Sequence, residues 1–344
     1  MTKIILILLL ALSISTQAAK LPKSIKVNKT EFIFEKAPFK ECHASTLVET
    51  QHGTLLAAWF GGTHENNKDV EIWTSENKNG QWSAPISVAN GIENDTLRYA
   101  CWNPVLFRTD EKTISLYYKV GLNPVKWWGM VIHSTDEGKT WSKPERLPDG
   151  ILGPIKNKPV KLASGVILSP SSIETESKEW HAHIERSNDN GKTWEKIDID
   201  PQNSAKVIQP TLLTYSDGRI QALLRSNQDR IMESWSTDEG KTWTPLSKID
   251  LLNPNSGIDA VTLKSGVQVL IYNPAIRGKE WSNGRAKLNV AVSIDGKTWK
   301  DVLKLEDEQT GEFSYPSIIQ TSDGLVHIVY TYNRKTIKHV VLKF

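Results

Sequence analysis

The side chains able to do chemistry are scattered along the chain. His43 lies in Cys42-His43-Ala44-Ser45-Thr46, and an imidazole titrates near neutrality, so it can take or give a proton. Tyr315, in Phe313-Ser314-Tyr315-Pro316-Ser317, carries a phenol that ionises at about pH 10 unless helped and is then a nucleophile. Asp69 closes the polar loop Gly61-Gly62-Thr63-His64-Glu65-Asn66-Asn67-Lys68-Asp69. Its carboxyl suits acid/base work, although a loop aspartate more often ends a turn. Arg225 follows an apolar run and Arg285 follows Gly284; such a setting rarely holds a guanidinium without an anion, whether from the protein or from a ligand. The plainer readings are a packed tyrosine, a hydrogen-bonded core histidine and arginines paired across blades. His181 and His183 share a strand face but lack a third ligand, so they read as structural, and neither metal nor cofactor is expected.

A repeat supplies the elements that must position these groups. Ser134-Thr-Asp136-Glu-Gly138-Lys-Thr140-Trp141 returns from Ser187, from Ser236, in shortened form from Ser293 and in decayed form at Ser75. The starts are 59, 53, 49 and 57 residues apart, a period that means a propeller or a solenoid. Asp closes a side-chain-to-backbone bond, Gly takes a positive φ, and Trp covers the blade. A calcium loop would need alternating oxygen ligands and a final Glu, which are missing. Between the boxes, six pairs of short apolar runs meet at turns, for example residues 46–48 with 55–60, and 317–320 with 326–330. The expected fold is therefore all-β, a six-bladed β-propeller of four-stranded blades. The last blade takes its third strand from residues 337–342 and its outer strand from residues 32–34.

Composition bounds the rest. With 39% apolar and 24% charged residues, 2 Cys and 13 Trp, the chain is neither disordered nor a disulfide scaffold. A net charge of +3 without a long basic run excludes wholesale nucleic-acid or membrane-surface binding. Residues 1–19 read as a signal peptide, with Lys3, an apolar stretch and small residues before Ala19. The expectation is one domain over 20–344, monomeric, without a membrane anchor, and secreted or periplasmic. In that oxidising space Cys42 and Cys101 could pair or remain two buried thiols.

The boxes resemble those of the sialidase (neuraminidase) superfamily, the Asp-box or BNR-repeat proteins, over essentially the whole of 20–344. The resemblance implies that strand starts and the loops after second strands face the active side, opposite the boxes. It implies Asp69 as acid/base, Tyr315 as nucleophile, and Arg225 and Arg285 as two of three arginines that clamp a carboxylate. Two positions depart from the pattern. His43 stands where the first clamp arginine belongs, and Gln209 in Ile208-Gln209-Pro210 stands where a glutamate would assist the tyrosine. Lys158 is then the candidate for a third positive charge, and Trp102 and Trp128 are candidates for sugar contact. The implied activity is hydrolysis of a glycosidic bond at an acidic sugar, sialic acid or a uronate-containing glycan. The alternatives are a lyase or rhamnosidase at rhamnosyl–glucuronate-type linkages with His43 as base, and a carbohydrate-binding propeller without catalysis. The expected partner is an acidic oligosaccharide or polysaccharide.

Overall fold

The structure is a computed structural model describing residues 20–344 apart from His52 and Trp281; the leader-like residues 1–19 lie outside the described residues. Six antiparallel blades follow one another along the chain, five of four strands and the first of five, with a two-stranded ribbon of Ile92–Asn94 and Leu97–Arg98 between the first two. Blade 1 is built from Glu41–Glu49, Leu55–Gly62 and Glu71–Lys78, with Gln81–Trp82 and Ile86–Ala89 both pairing to its third strand. Blades 2 to 5 open with Ala100–Arg108, Val160–Lys161, Val207–Thr214 and Asp259–Thr262. Blade 6 comprises Phe313–Gln320, Val326–Tyr332 and Thr336–Lys343, and its fourth strand is Lys26–Phe32, so the two ends of the chain close the ring.

The closing strand lies earlier than residues 32–34. Lys26–Phe32 is almost wholly exposed, as an outermost strand should be, and so it lacks the apolar alternation that marks a strand in sequence. Ile33 keeps one backbone bond to Ile337 O at 2.9 Å, and the buried Phe34 stacks on Trp59 at 5.0 Å. The core lies between blades. Second strands such as Leu55–Gly62 and Ile114–Gly121 are buried along their whole length, because a neighbouring sheet covers each face. Cys42 and Cys101 are free thiols, both buried.

The boxes form the expected turns. Asp136 accepts from Thr140 N at 2.9 Å and from Thr140 Oγ1 at 2.6 Å, while Ser134 Oγ accepts from Gly138 N at 2.8 Å. The Asp189 and Asp238 boxes repeat these bonds. Bonds from Thr140, Thr193 and Thr242 hold the three carboxyls down at about 2. Each box also leans on the preceding blade. A Cβ on Gly138 would lie 2.5 Å from Leu56 Cδ2 of blade 1, and one on Gly240 2.9 Å from Leu168 Cδ2 of blade 3.

Gly138 and Gly165 share a left-handed backbone, at φ 87° and 90°, but a Cβ on Gly165 would meet nothing within 4 Å. Gly165→Ala therefore adds strain alone, whereas Gly138→Ala adds strain and a clash with Leu56. We expect Gly138→Ala to destabilise by about 1–3 kcal/mol and Gly165→Ala by less. Thermal or urea denaturation of the two variants checks the order.

Candidate active site

Four inner strands begin with one residue too many. In blades 1, 2, 4 and 6 the register slips between His43 and Thr46, opposite Tyr117/Lys119, between Ile208 and Thr211, and between Ser314 and Ser317. Two residues there oppose one, which is a β-bulge. Each bulge holds a non-glycine residue at positive φ: Ala44 at 56°, Asn103 at 38°, Gln209 at 54° and Tyr315 at 53°. Such backbone costs about 1–3 kcal/mol apiece and is a mark of functional positions. The bulges end regular pairing and aim side chains at the propeller axis.

Tyr315 lies at the centre. Its phenol oxygen accepts a hydrogen bond from Arg225 Nη1 at 2.7 Å. The same nitrogen donates to Gln209 Oε1 at 3.1 Å, and Arg225 Nε donates to Asn255 Oδ1 at 2.9 Å. The guanidinium carbons of Arg225 and Arg285 lie 5.7 and 5.9 Å from the Tyr315 ring centre. His43 tilts against Tyr315 with ring centres 4.2 Å apart. The structure thus brings His43, Gln209, Arg225, Arg285 and Tyr315 together from blades 1, 4, 5 and 6. Gln209 does not face the tyrosine as a base but orients the arginine that does.

Four other residues of this site escaped the sequence reading. Glu312 accepts from Arg285 Nη1 at 2.9 Å and from Arg334 Nε at 2.9 Å, and Arg334 Nη1 donates to Glu65 at 2.6 Å. Burial raises the Glu312 carboxyl, but Arg334 and Arg285 more than offset this and hold it low. Lys156 is fully buried beside the Tyr315 ring, 5.9 Å from its centre, and donates to Asn157, to Ile258 O and to Pro316 O. Burial brings its ammonium down to about 7. Glu174 ends the second strand of blade 3, and burial raises its carboxyl against the pull of Arg225. Arg334 occupies the loop after the second strand of blade 6. The register puts Thr331 in blade 6 where blade 4 carries Arg225, and Arg334 lies in the turn beyond it, so blade equivalence does not single it out.

Lys158 goes elsewhere. Its ammonium is bound to Asp259 Oδ2 at 2.8 Å and to Ala260 O at 3.0 Å. It lines a cavity of about 630 Å³ with Leu47, Leu106, Arg108 and Ile319 at the box end of the axis. It therefore adds no third charge beside Tyr315. Asp69 lies in the exposed loop after the second strand of blade 1. Thr63 donates to it from N at 3.0 Å and from Oγ1 at 2.6 Å. Burial raises its carboxyl, but the Thr63 bonds and the charge of Arg98 together more than offset this and bring it below its ordinary 3.8. Trp102 is buried, donates to Gly121 O at 3.0 Å and lies edge-on to Phe60 and Trp127. Trp128 is half-buried, with Arg146 5.0 Å over its ring and Tyr99 against it. Both indoles are engaged in packing.

The comparisons with known proteins agree with this architecture. Residues 53–328 match the family model described as a BNR repeat-like domain. The chain belongs to that family. This BNR-repeat protein is 23% identical over 332 residues to a sialidase of Bacteroides fragilis, a match covering 83% of the chain but 58% of the relative's length. Among solved structures, a protein of unknown function from Dyadobacter fermentans superposes with a TM-score of 0.76 at 17% identity, over 94% of this chain and all of that one. A Hadza microbial sialidase gives 0.73 at 18% identity, over 88% of this chain and 65% of that one. The NanB sialidase of Streptococcus pneumoniae gives 0.71 at 14% identity, over 92% and 71%.

Burial, then the charges of Arg334, Arg285, Lys156 and Arg225, push the His43 imidazole well below its ordinary 6.5. His43 should therefore stay neutral between pH 8 and 5, and its ring resonances in NMR should not titrate there. The linkage sign follows. The unfolded chain binds a proton below about 6.5 that the folded site refuses, so stability present above that pH is lost as pH falls. His43→Gln should flatten this slope, which is at most about 1.4 kcal/mol per pH unit.

Proposed function

We propose that this BNR-repeat protein is an exported enzyme that cleaves a glycan at an acidic sugar. The observation that carries the reading is Arg225 donating to the phenol oxygen of Tyr315 inside a cluster of buried cations. A guanidinium on that oxygen favours negative charge there, and the surrounding arginines suit a substrate carboxylate. In a hydrolase, Tyr315 Oη attacks the anomeric carbon while the bond to the leaving oxygen breaks. The phenol proton passes to neutral His43, and Asp69 protonates the leaving oxygen. Water then releases the sugar from the tyrosine. Export rests on the leader-like residues 1–19.

A second reading has its own observations. Among the described residues, the buried His43 Nδ1 has no hydrogen-bond partner, and Thr63 holds Asp69 as a carboxylate. A neutral base with a spare nitrogen fits a lyase. There, His43 takes the proton next to a uronate carboxylate, the arginines stabilise the resulting anion, and Tyr315 protonates the leaving oxygen. The product is an unsaturated uronate that absorbs in the ultraviolet.

Incubation with sialyl-glycosides and with uronate polysaccharides separates the readings. Free sialic acid or free uronate without new absorbance supports the hydrolase, and absorbance supports the lyase. Binding without either product leaves a lectin. Tyr315→Phe should lower turnover by about 10³-fold or more while ligand still binds. If Asp69 is the acid, Asp69→Asn should cost about 10²–10⁴-fold and Glu174→Gln far less. The reverse order would move the acid role to Glu174, whose half-buried carboxyl holds its proton more readily.

A further inference from the structure

Tyr315 stands at positive φ and is followed by Pro316, which has no N–H to offer a neighbouring strand. Gln209-Pro210 in blade 4 has the same form. A bulge of this kind persists only where its surroundings hold it. We propose that Lys156 is a positioning residue for Tyr315, reaching across the axis from the segment before blade 3 to hold the backbone that follows the tyrosine. The proposal rests on the reading above that Tyr315 is the reacting group.

The bonds of Lys156 converge from several blades. Its Nζ donates to Pro316 O of blade 6, to Ile258 O just before the first strand of blade 5 at 2.8 Å, and to the neighbouring Asn157 Oδ1 at 2.9 Å. Asn157 Nδ2 carries the tie to blade 4, donating to Gln209 O and Pro210 O, both at 3.0 Å. Two consecutive residues thus grip the bulges of Tyr315 and Gln209, whose side chains share Arg225 Nη1. Packing leaves little slack. A Cβ on Gly257 would lie 3.1 Å from Lys156 Cε and 3.2 Å from Tyr315 Cδ2, so the lysine chain and the ring rest against the same glycine. An ammonium has three protons, and the three oxygens use them all. Lys156 therefore acts through Tyr315 and not on a ligand.

A lysine that only stapled the blades would leave the ring indifferent to its charge. Here the charge itself is under strain. Burial lowers the ammonium most, Asp259 draws it back up, Lys158 and Arg225 lower it further, and it comes to about 7. His43 and Arg285 are the other titratable and charged groups at the Tyr315 ring. A neutral amine has two N–H groups, so loss of one proton leaves one of the three oxygens without its donor. The hold on the backbone after Tyr315 then loosens.

Carbon-13 NMR of the protein with labelled tyrosine and lysine tests this, the Tyr315 ring signals being assigned by their loss in Tyr315→Phe. We expect the Tyr315 signals to shift in Lys156→Met. In the wild type they should move together with the Lys156 signal as pH rises through about 7, and that movement should be gone from Lys156→Met. On whichever sialyl-glycoside or uronate polysaccharide the wild type cleaves, Lys156→Met should lower kcat about tenfold or more with KM within about twofold. Lys156→Gln, which keeps a shorter neutral donor, should recover part of the loss. Unchanged Tyr315 signals in folded Lys156→Met would overturn the proposal. So would a wild-type Lys156 signal that titrates while Tyr315 stays still, a result that needs no variant to fold. Undiminished turnover in Tyr315→Phe would instead overturn the reading of Tyr315 as the reacting group.

Discussion

A strand with a bulge leaves backbone groups that its own sheet cannot pair, and in a ring only the next blade can reach them. This constraint ties the propeller's blades to its site. Ala44 N, in the blade-1 bulge, donates to Thr331 Oγ1 of blade 6 at 3.2 Å. Gln209 N, in the blade-4 bulge, donates to Ser172 Oγ of blade 3 at 3.2 Å, and Gln209 O accepts from Asn157 at 3.0 Å. Asp259 does the same work lower on the axis. It accepts from Thr211 of blade 4, Lys158 of blade 3 and Ile318 N of blade 6, at 2.8 to 2.9 Å. The strained residues at the mouth are thus held by neighbours, and the ring must be closed before the site exists.

Closure itself depends on a strand with little apolar content. Lys26–Phe32 pairs with Thr336–Lys343 along its length, so its backbone bonds rather than burial hold it. Glu31 adds contacts with His339 at 2.9 Å, Lys29 at 2.7 Å and Trp82 at 3.1 Å. Ile33 and Phe34 then fill the seam between blades 6 and 1 beside Trp59 and Val329. His43 and Arg334 stand at this same seam, so the first and last blades jointly form one wall of the site.

The boxes were legible in the sequence because their chemistry is local, with each Asp bonding residues three or four positions on. Tyr315, His43, Arg225 and Arg285 were reachable through the family resemblance, which says which strand starts and loops share a face even when they are distant in the chain. Lys158 misled because residues 154–159 are not regular strand. Lys156 and Lys158, two apart, would point the same way in a strand, yet one faces Tyr315 and the other Asp259. The buried state of Trp102 was not legible, since a strand-start tryptophan gives no sign that Phe60 and Trp127 will enclose it. Arg334 sits in a hairpin turn with no box after it, beyond the position that blade equivalence marks.

Two kinds of group meet at Tyr315. From Tyr315 an aromatic series runs through His43, Phe60, Trp102 and Trp127, with ring centres 4.2 to 6.3 Å apart, on blades 6, 1 and 2. Arg225, Arg285 and Lys156 also lie around the Tyr315 ring, and Arg334 joins Arg285 through Glu312. The carboxylates there are not spread evenly. Glu312 and Glu65 serve Arg285 and Arg334, whereas the hydrogen bonds of buried Arg225 go to an amide oxygen on each of two residues and to the phenol. A buried charge without an ion-pair partner is expensive unless something compensates it. An anionic ligand beside Arg225 would supply that compensation. Under the reading proposed above, this uncompensated guanidinium beside Tyr315 is what would favour a substrate that carries negative charge.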